Sequence, residues 1–183
     1  MIERTLVLIK PDGVARGLVG RVLQRFEDAG MKIVGLKMRW VDEKFARKHY
    51  TEDLAKRRGE NVRKYMVDFL QEGPVVAVVI EGVHVVDNAR KIVGETEPRA
   101  AAPGTIRGDF AHISYAHADK EKKGIKNIIH SSATNTRTLS IEILPSTSKA
   151  FSMFPGNLSS IKSLFLFFSN HLRNIFVASL LGM

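Results

Sequence analysis

Between Gly73-Pro74 and Glu81 runs Val75-Val76-Ala77-Val78-Val79-Ile80, six apolar residues of which five are β-branched. Branching at Cβ stiffens χ1 and favours the pleated chain over the helix, and an apolar run this short between turn signals reads as a buried strand. With no polar residue to turn toward water it is a central strand, and the rest of the fold has to be built around it. Thr5 to Ile9, closed by Lys10-Pro11-Asp12-Gly13, reads as a second buried strand ending in a turn. Met31 to Val41 reads as a third strand, and Ile128-Ile129 as a fourth.

Helical spacing fills the intervals. Val19, Val22, Leu23, Phe26 and Ala29 lie on one stripe that stops at Gly30. Asp42 is placed to cap a short helix through Phe45 and Ala46. Asn61 to Leu70 and Val83 to Val93 read as two more helices, the second stopped by Gly94. Glu95 to Lys126 reads as one long connection rich in Gly, Pro, Ala and charge, and a loop of that length in a compact domain is usually functional. This order predicts an α+β fold: a ferredoxin-like split βαβ with a four-stranded antiparallel sheet and helices packed on one face of it.

The 183 residues suffice for one domain, and 44% hydrophobic with 26% charged residues is a globular composition. Zero cysteines exclude disulfides, thiolate zinc sites and thiol catalysis, and fit a cytoplasmic location. The first apolar run is short and lies behind Glu3 and Arg4, which is not a signal-peptide pattern. A net charge of +9 favours anionic partners such as nucleotides, with nucleic acid admissible but not required.

Residues 133–183 differ in character from 1–132. They hold one acid, Glu142, and are rich in Ser, Thr and Phe. Leu164 to Phe168 and Ile175 to Leu181 fall short of the roughly 20 apolar residues of a membrane helix, so no membrane role is expected. We read 1–132 as the functional domain and 133–183 as a poorly ordered, divergent segment, either an extension or the product of a shifted reading frame.

The chemistry concentrates at Asn127-Ile128-Ile129-His130-Ser131-Ser132. An imidazole at the end of a stiff apolar strand is exposed to substrate and fixed in place. With Lys10, Arg90 and Arg107 upstream, it forms a nucleophile among cations, which suits phosphoryl transfer. Gly104 and Gly108 near Arg107 are expected to allow close backbone approach to an anion. His49, His84, His112, His117 and His171 read as structural or surface residues.

Several longer motifs carry a resemblance. Glu3 to Val14, Arg16-Gly17-Leu18, His49-Tyr50, Gly73 to Ala77, Gly94-Glu95-Thr96, Pro103 to Phe110 and Asn127 to His130 occur in an order similar to that of nucleoside diphosphate kinases. The resemblance covers residues 1–132. It implies ping-pong transfer of a γ-phosphoryl group from a nucleoside triphosphate to a nucleoside diphosphate through His130. It also implies phosphate binding by Lys10, Arg90, Thr96 and Arg107, and Tyr50 beside the histidine. Asn127 would contact the sugar, and Ser132 would support the histidine. Mg²⁺ would come with the nucleotide, held mainly by phosphate oxygens rather than by protein ligands, and the chain would form a homo-oligomer, a hexamer by resemblance.

The pattern breaks in several places: Ser132 is followed by Ala133 where the family has Ser-Asp or a similar pair, and the connection Ala111 to Lys126 is longer than in the shortest family members. The family's stacking phenylalanine, expected between His49-Tyr50 and Gly73-Pro74, is missing from the stretch Arg57 to Val62. Where the family carries a glutamate that orients the histidine, this chain has Ile141, with Glu142 one step and about 100° away on a helix. The competing reading is a catalytically impaired relative that binds nucleotides or nucleic acid.

Overall fold

The computed structural model describes residues 1–133; the expectations for residues 134–183, including Ile141 and Glu142, lie outside the described residues. Four strands form one antiparallel sheet in the order β2-β3-β1-β4. β1 is Ile2–Ile9, β2 Lys32–Arg39, β3 Val75–Val83 and β4 Ile129–Ser131. β3 lies between β1 and β2, and β1 between β3 and β4, which is the expected split βαβ arrangement.

Helices cover both faces of the sheet, not one. On the first face, Val7, Ile9, Val76, Val78 and Ile80 pack with Val22 and Phe26 of α2 (Val19–Asp28) and with Val85, Ala89 and Val93 of α6 (Val85–Val93). On the second, Leu8, Val75 and Ala77 pack with Ala46 of α3 (Glu43–His49) and with Val67 and Leu70 of α5 (Glu60–Leu70). Two packed faces explain why the β3 run is apolar at every position: Val75 to Ile80 are all buried, with even and odd residues serving different layers.

Capping follows the sequence at α3, where the Asp42 carboxylate accepts from the Phe45 N–H at 2.7 Å. β3 runs on to Val83, and α6 begins only at Val85, because His84 takes a left-handed conformation (φ 49°) that ends the strand. β2 is shorter than expected and carries an irregularity between Ile33 and Gly35.

The reading of 95–126 as one connection is corrected. It contains a short 3₁₀ turn at Pro98–Ala100, α7 (Ile106–Phe110) and α8 (Tyr115–Lys120). The Thr105 and Ser114 hydroxyls cap α7 and α8. Two one-turn helices too short to show apolar periodicity look like loop in a sequence. The same applies to α4 (Glu52–Arg58), which buries no residue, and to α1 (Pro11–Ala15), which Pro11 starts.

Gly94 ends α6 at φ 84°, and a Cβ there would stand 2.5 Å from Thr105 Oγ1. Both the backbone conformation and the close approach require glycine. Gly94→Ala is therefore expected to lower the unfolding free energy by more than about 1 kcal/mol, read as a lower urea midpoint with an unchanged m-value.

Candidate active site

The site forms where β1 ends and β4 begins. Both Ile128 and Ile129 belong to the first-face core and are fully buried. Consecutive residues of a regular strand point to opposite faces, so this is possible only because Ile128 leaves the strand conformation (φ 70°). β4 accordingly starts at Ile129, not at Ile128 as the sequence predicts. A β-branched residue in the left-handed region costs on the order of 1–3 kcal/mol and needs its surroundings to hold it.

Three groups hold Ile128. Its N–H donates to Asp12 Oδ2 at 2.9 Å, its carbonyl accepts from the Lys10 N–H at 2.7 Å, and its side chain is locked in the core. Arg107 fastens the flanks. Its Nε and one terminal nitrogen donate to the carbonyls of Asn127 (3.4 Å) and Ile129 (2.7 Å), and the other donates to the Gly94 carbonyl (2.8 Å). Arg107 is thus a buried helix residue of α7 that joins α6 to β4, rather than a loop cation flanked by glycines. Its charge still faces the cavity described below.

After the irregularity at Ile128, β4 pairs with β1 so that His130 lies opposite Leu8. Cross-strand partners share a face, so the imidazole is directed to the second face, the one that carries α3. There the rings of His130 and His49 meet edge to face, with centroids 4.9 Å apart. Lys10, buried directly after β1, donates from Nζ to Asn127 Oδ1 at 2.7 Å, and Asn127 Nδ2 donates to the Thr96 carbonyl at 2.8 Å.

Lys10, Tyr50, Arg90, Thr96, Arg107, Asn127 and His130 all line one cavity of about 1400 Å³. Ser132 does not; its N–H donates to the Leu6 carbonyl, and Ser131 lines the cavity instead. His49 also lines it, although the sequence reading set this residue aside as structural; its place beside Tyr50 in the sequence was the available signal. Asp12 was missed as well, hidden in a turn motif whose visible feature is Pro-Asp-Gly.

The cavity has two characters. Lys10, Arg90 and Arg107 stand close enough to His130 for their charge to act on it, and further cations line the same cavity. Leu54, Val62, Met66 and Ile125 contribute apolar wall, and these four also pack in one cluster with Phe69 and Ala118. They are apolar groups available where the family's phenylalanine is missing.

Burial governs the titrations. It pulls the His130 imidazole down to about 3, and the positive field of His49, Lys10, Arg107 and Arg90 acts in the same direction. Burial, with Lys10 adding, brings His49 to about 4. Burial lowers Lys10 to about 7 against the opposing pull of Asp12. Burial raises Asp12 and Tyr50 above their usual ranges. At neutral pH the site therefore holds uncharged imidazoles and a phenol that keeps its proton.

The nucleoside diphosphate kinase family model matches residues 3–144. The chain belongs to the nucleoside diphosphate kinase family. A nucleoside diphosphate kinase from Borreliella burgdorferi is 45% identical over 134 residues, covering 73% of this chain and 80% of the relative. One from Pyrococcus horikoshii is 48% identical over 131 residues, covering 71% and 76%. A solved structure of the Borrelia burgdorferi enzyme, a transition-state mimic with bound vanadate and ADP, has a TM-score of 0.74 at 42% identity and covers 80% of this chain and 89% of its own. The activity is accordingly that of a nucleoside diphosphate kinase, a phosphotransferase acting on nucleoside phosphates.

The depressed imidazole has a consequence for stability. In the unfolded chain a histidine protonates near 6.5, whereas folded His130 does so only near 3. Between these values the unfolded state binds more protons, so this group's effect on stability falls as pH drops below about 6.5 and is constant above it. The stability of wild type relative to His130→Gln should decline from pH 6.5 to pH 4, measured by urea denaturation at each pH, and should not change between pH 7 and 8.

Proposed function

We propose that His130 is the phosphoryl acceptor of a ping-pong cycle. What carries the reading is that His130 shares one cavity with Lys10, Arg90 and Arg107, whose charges all act on its ring. In the first half-reaction a lone pair of a His130 ring nitrogen attacks the γ-phosphorus of a nucleoside triphosphate. The N–P bond forms as the bond to the β,γ-bridging oxygen breaks, and the diphosphate leaves with that electron pair. In the second, a terminal oxygen of another nucleoside diphosphate attacks the phosphohistidine and the N–P bond breaks.

Each group has a task in this cycle. An uncharged imidazole has its lone pair free at neutral pH. The transition state spreads negative charge over the equatorial oxygens, which Lys10, Arg90 and Arg107 face as fixed cations. Tyr50 lines the same cavity, and its ring packs edge to face on His49 next to His130. Thr96 offers a further hydroxyl, Asn127 contacts the sugar, and Ser132 supports β4 through its backbone. The base rests against Leu54, Val62, Met66 and Ile125.

Magnesium, carried by the nucleotide, neutralises phosphate charge when bound. Among the described residues no group of three or more His, Asp or Glu is arranged to hold a metal, and this donor set fits an ion held by phosphate oxygens. Asp87, Glu95 and Asp119 are the carboxylates on the cavity wall, any of which could face the ion's outer waters.

We also propose a homo-oligomer, with a hexamer the size implied by resemblance. Leu36, Met38 and Trp40 of edge strand β2 and its end are 48%, 56% and 66% exposed, an apolar row on a sheet edge that a second copy would cover. Trp40→Lys is then expected to lower the molar mass measured by light scattering; an unchanged mass removes this contact from consideration. Among the described residues no helix is long and apolar enough to cross a membrane. A cytoplasmic location fits the nucleotide substrates, and nucleic acid is not required by any part of this scheme.

Incubation with γ-labelled ATP and Mg²⁺ should label wild-type protein in an acid-labile bond, the label should leave to an added nucleoside diphosphate, and His130→Ala should take none. A folded, soluble wild type without label would leave a nucleotide-binding relative as the reading. Lys10, at about 7 in the free site, is largely neutral at pH 8, and a bound polyphosphate restores its charge. ADP binding at pH 8 should therefore take up protons, seen as a calorimetric enthalpy that varies with the buffer's ionisation enthalpy, and Lys10→Met should remove most of that dependence.

A further inference from the structure

Three rings stand in series at the cavity wall. Tyr50 and His49 meet edge to face with centroids 4.8 Å apart and an interplanar angle of 79°; His49 and His130 do the same at 4.9 Å and 82°. His49 is the last residue of α3, and that helix is fixed to the sheet by Ala46, which is fully buried on the face that carries Leu8. The middle ring is therefore anchored through its own helix and flanked on both sides.

We propose that His49 is a positioning residue for His130, its ring setting the plane of the nucleophilic imidazole by edge-to-face packing. The inference rests on the reading of His130 as phosphoryl acceptor. An imidazole at a strand end has a broad, roughly two-fold χ2 well, so the strand alone leaves its plane open. In-line attack needs one ring nitrogen directed at phosphorus, and a misplacement of about 1 Å costs about a hundredfold in rate. A second ring at 4.9 Å, nearly perpendicular, favours one plane over its neighbours. Two charged imidazoles at this separation would repel, and burial keeps both neutral.

The mechanism is ring packing, so the substitutions separate ring from polarity. His49→Phe keeps a ring without nitrogen; His49→Gln keeps polar atoms without a ring; His49→Ala removes both. Quench-flow labelling with γ-labelled ATP gives the rate constant for phosphohistidine formation, and titration gives the affinity for ADP. We expect His49→Ala and His49→Gln to form phosphohistidine about tenfold more slowly or worse. His49→Phe should stay within about threefold of wild type, and ADP affinity within about twofold throughout, because the ring acts on geometry and not on binding. If His49→Ala does not fold, the comparison of Phe with Gln decides alone. A Gln variant as fast as wild type, or a Phe variant as slow as Gln, overturns the proposal. A wild type that takes no label at His130 refutes the acceptor reading itself, whereas a labelled wild type indifferent to His49 refutes only this inference.

Discussion

The hydrogen bond from the Ile128 N–H to the Asp12 carboxylate holds the site in its shape. It stabilises a β-branched residue at φ 70°, a conformation the isolated chain would abandon. Without that irregularity, Ile128 and Ile129 would alternate across the sheet and the core would lose one of them. Beyond it, the register of β4 with β1 sets His130 opposite Leu8, on the face of α3. A one-residue slip in a strand sends every later side chain to the other face. The left-handed residue therefore lets Ile128 join the core without disturbing the pairing that aims the His130 imidazole.

The same few interactions serve folding and electrostatics together. Arg107 satisfies three backbone carbonyls around the strained segment while placing a cation near the imidazole. Lys10 supplies a backbone donor to Ile128 and a side-chain donor to Asn127, and its ammonium stays in the cavity. A buried cation costs desolvation free energy, which here appears as a lysine that titrates near neutrality. Under the proposed function an anionic substrate restores that charge, at the cost of the proton it has to take up. This arrangement favours highly charged ligands over neutral ones of the same shape.

The cavity also shows how a departure in sequence is accommodated. The stretch that lacks the family's phenylalanine folds as α4 and the start of α5, and Leu54 and Val62 reach the cavity from there. The lengthened connection before Asn127 folds as α8, whose Ala118 packs in the same cluster, and Ile125 follows it. These two segments close the apolar side of the cavity together. α4 and α8 are each too short to show a helical period, and Leu54 and Ala118 pack in the same cluster away from the sheet, whereas α5 also sends Val67 and Leu70 to the sheet.

The amino-acid sequence by itself determined the strand order, the three long helices and the residue types of the site. Those features rest on local signals: a β-branched run, helical stripes ending at Gly30 and Gly94, and motifs of several residues in a characteristic order. The unbroken apolar run of β3 already implies that both of its faces are buried, but it does not say which elements cover each face, and that the tertiary structure decided. The short helices stayed hidden because one turn carries no period. The tertiary structure alone decided that Asp12 supports Ile128, that Arg107 ties α6 to β4, and that His49 stands against His130. Asp12 and Ile128 are 116 positions apart, and a contact at that separation depends on register and strain, which no local pattern of residues encodes.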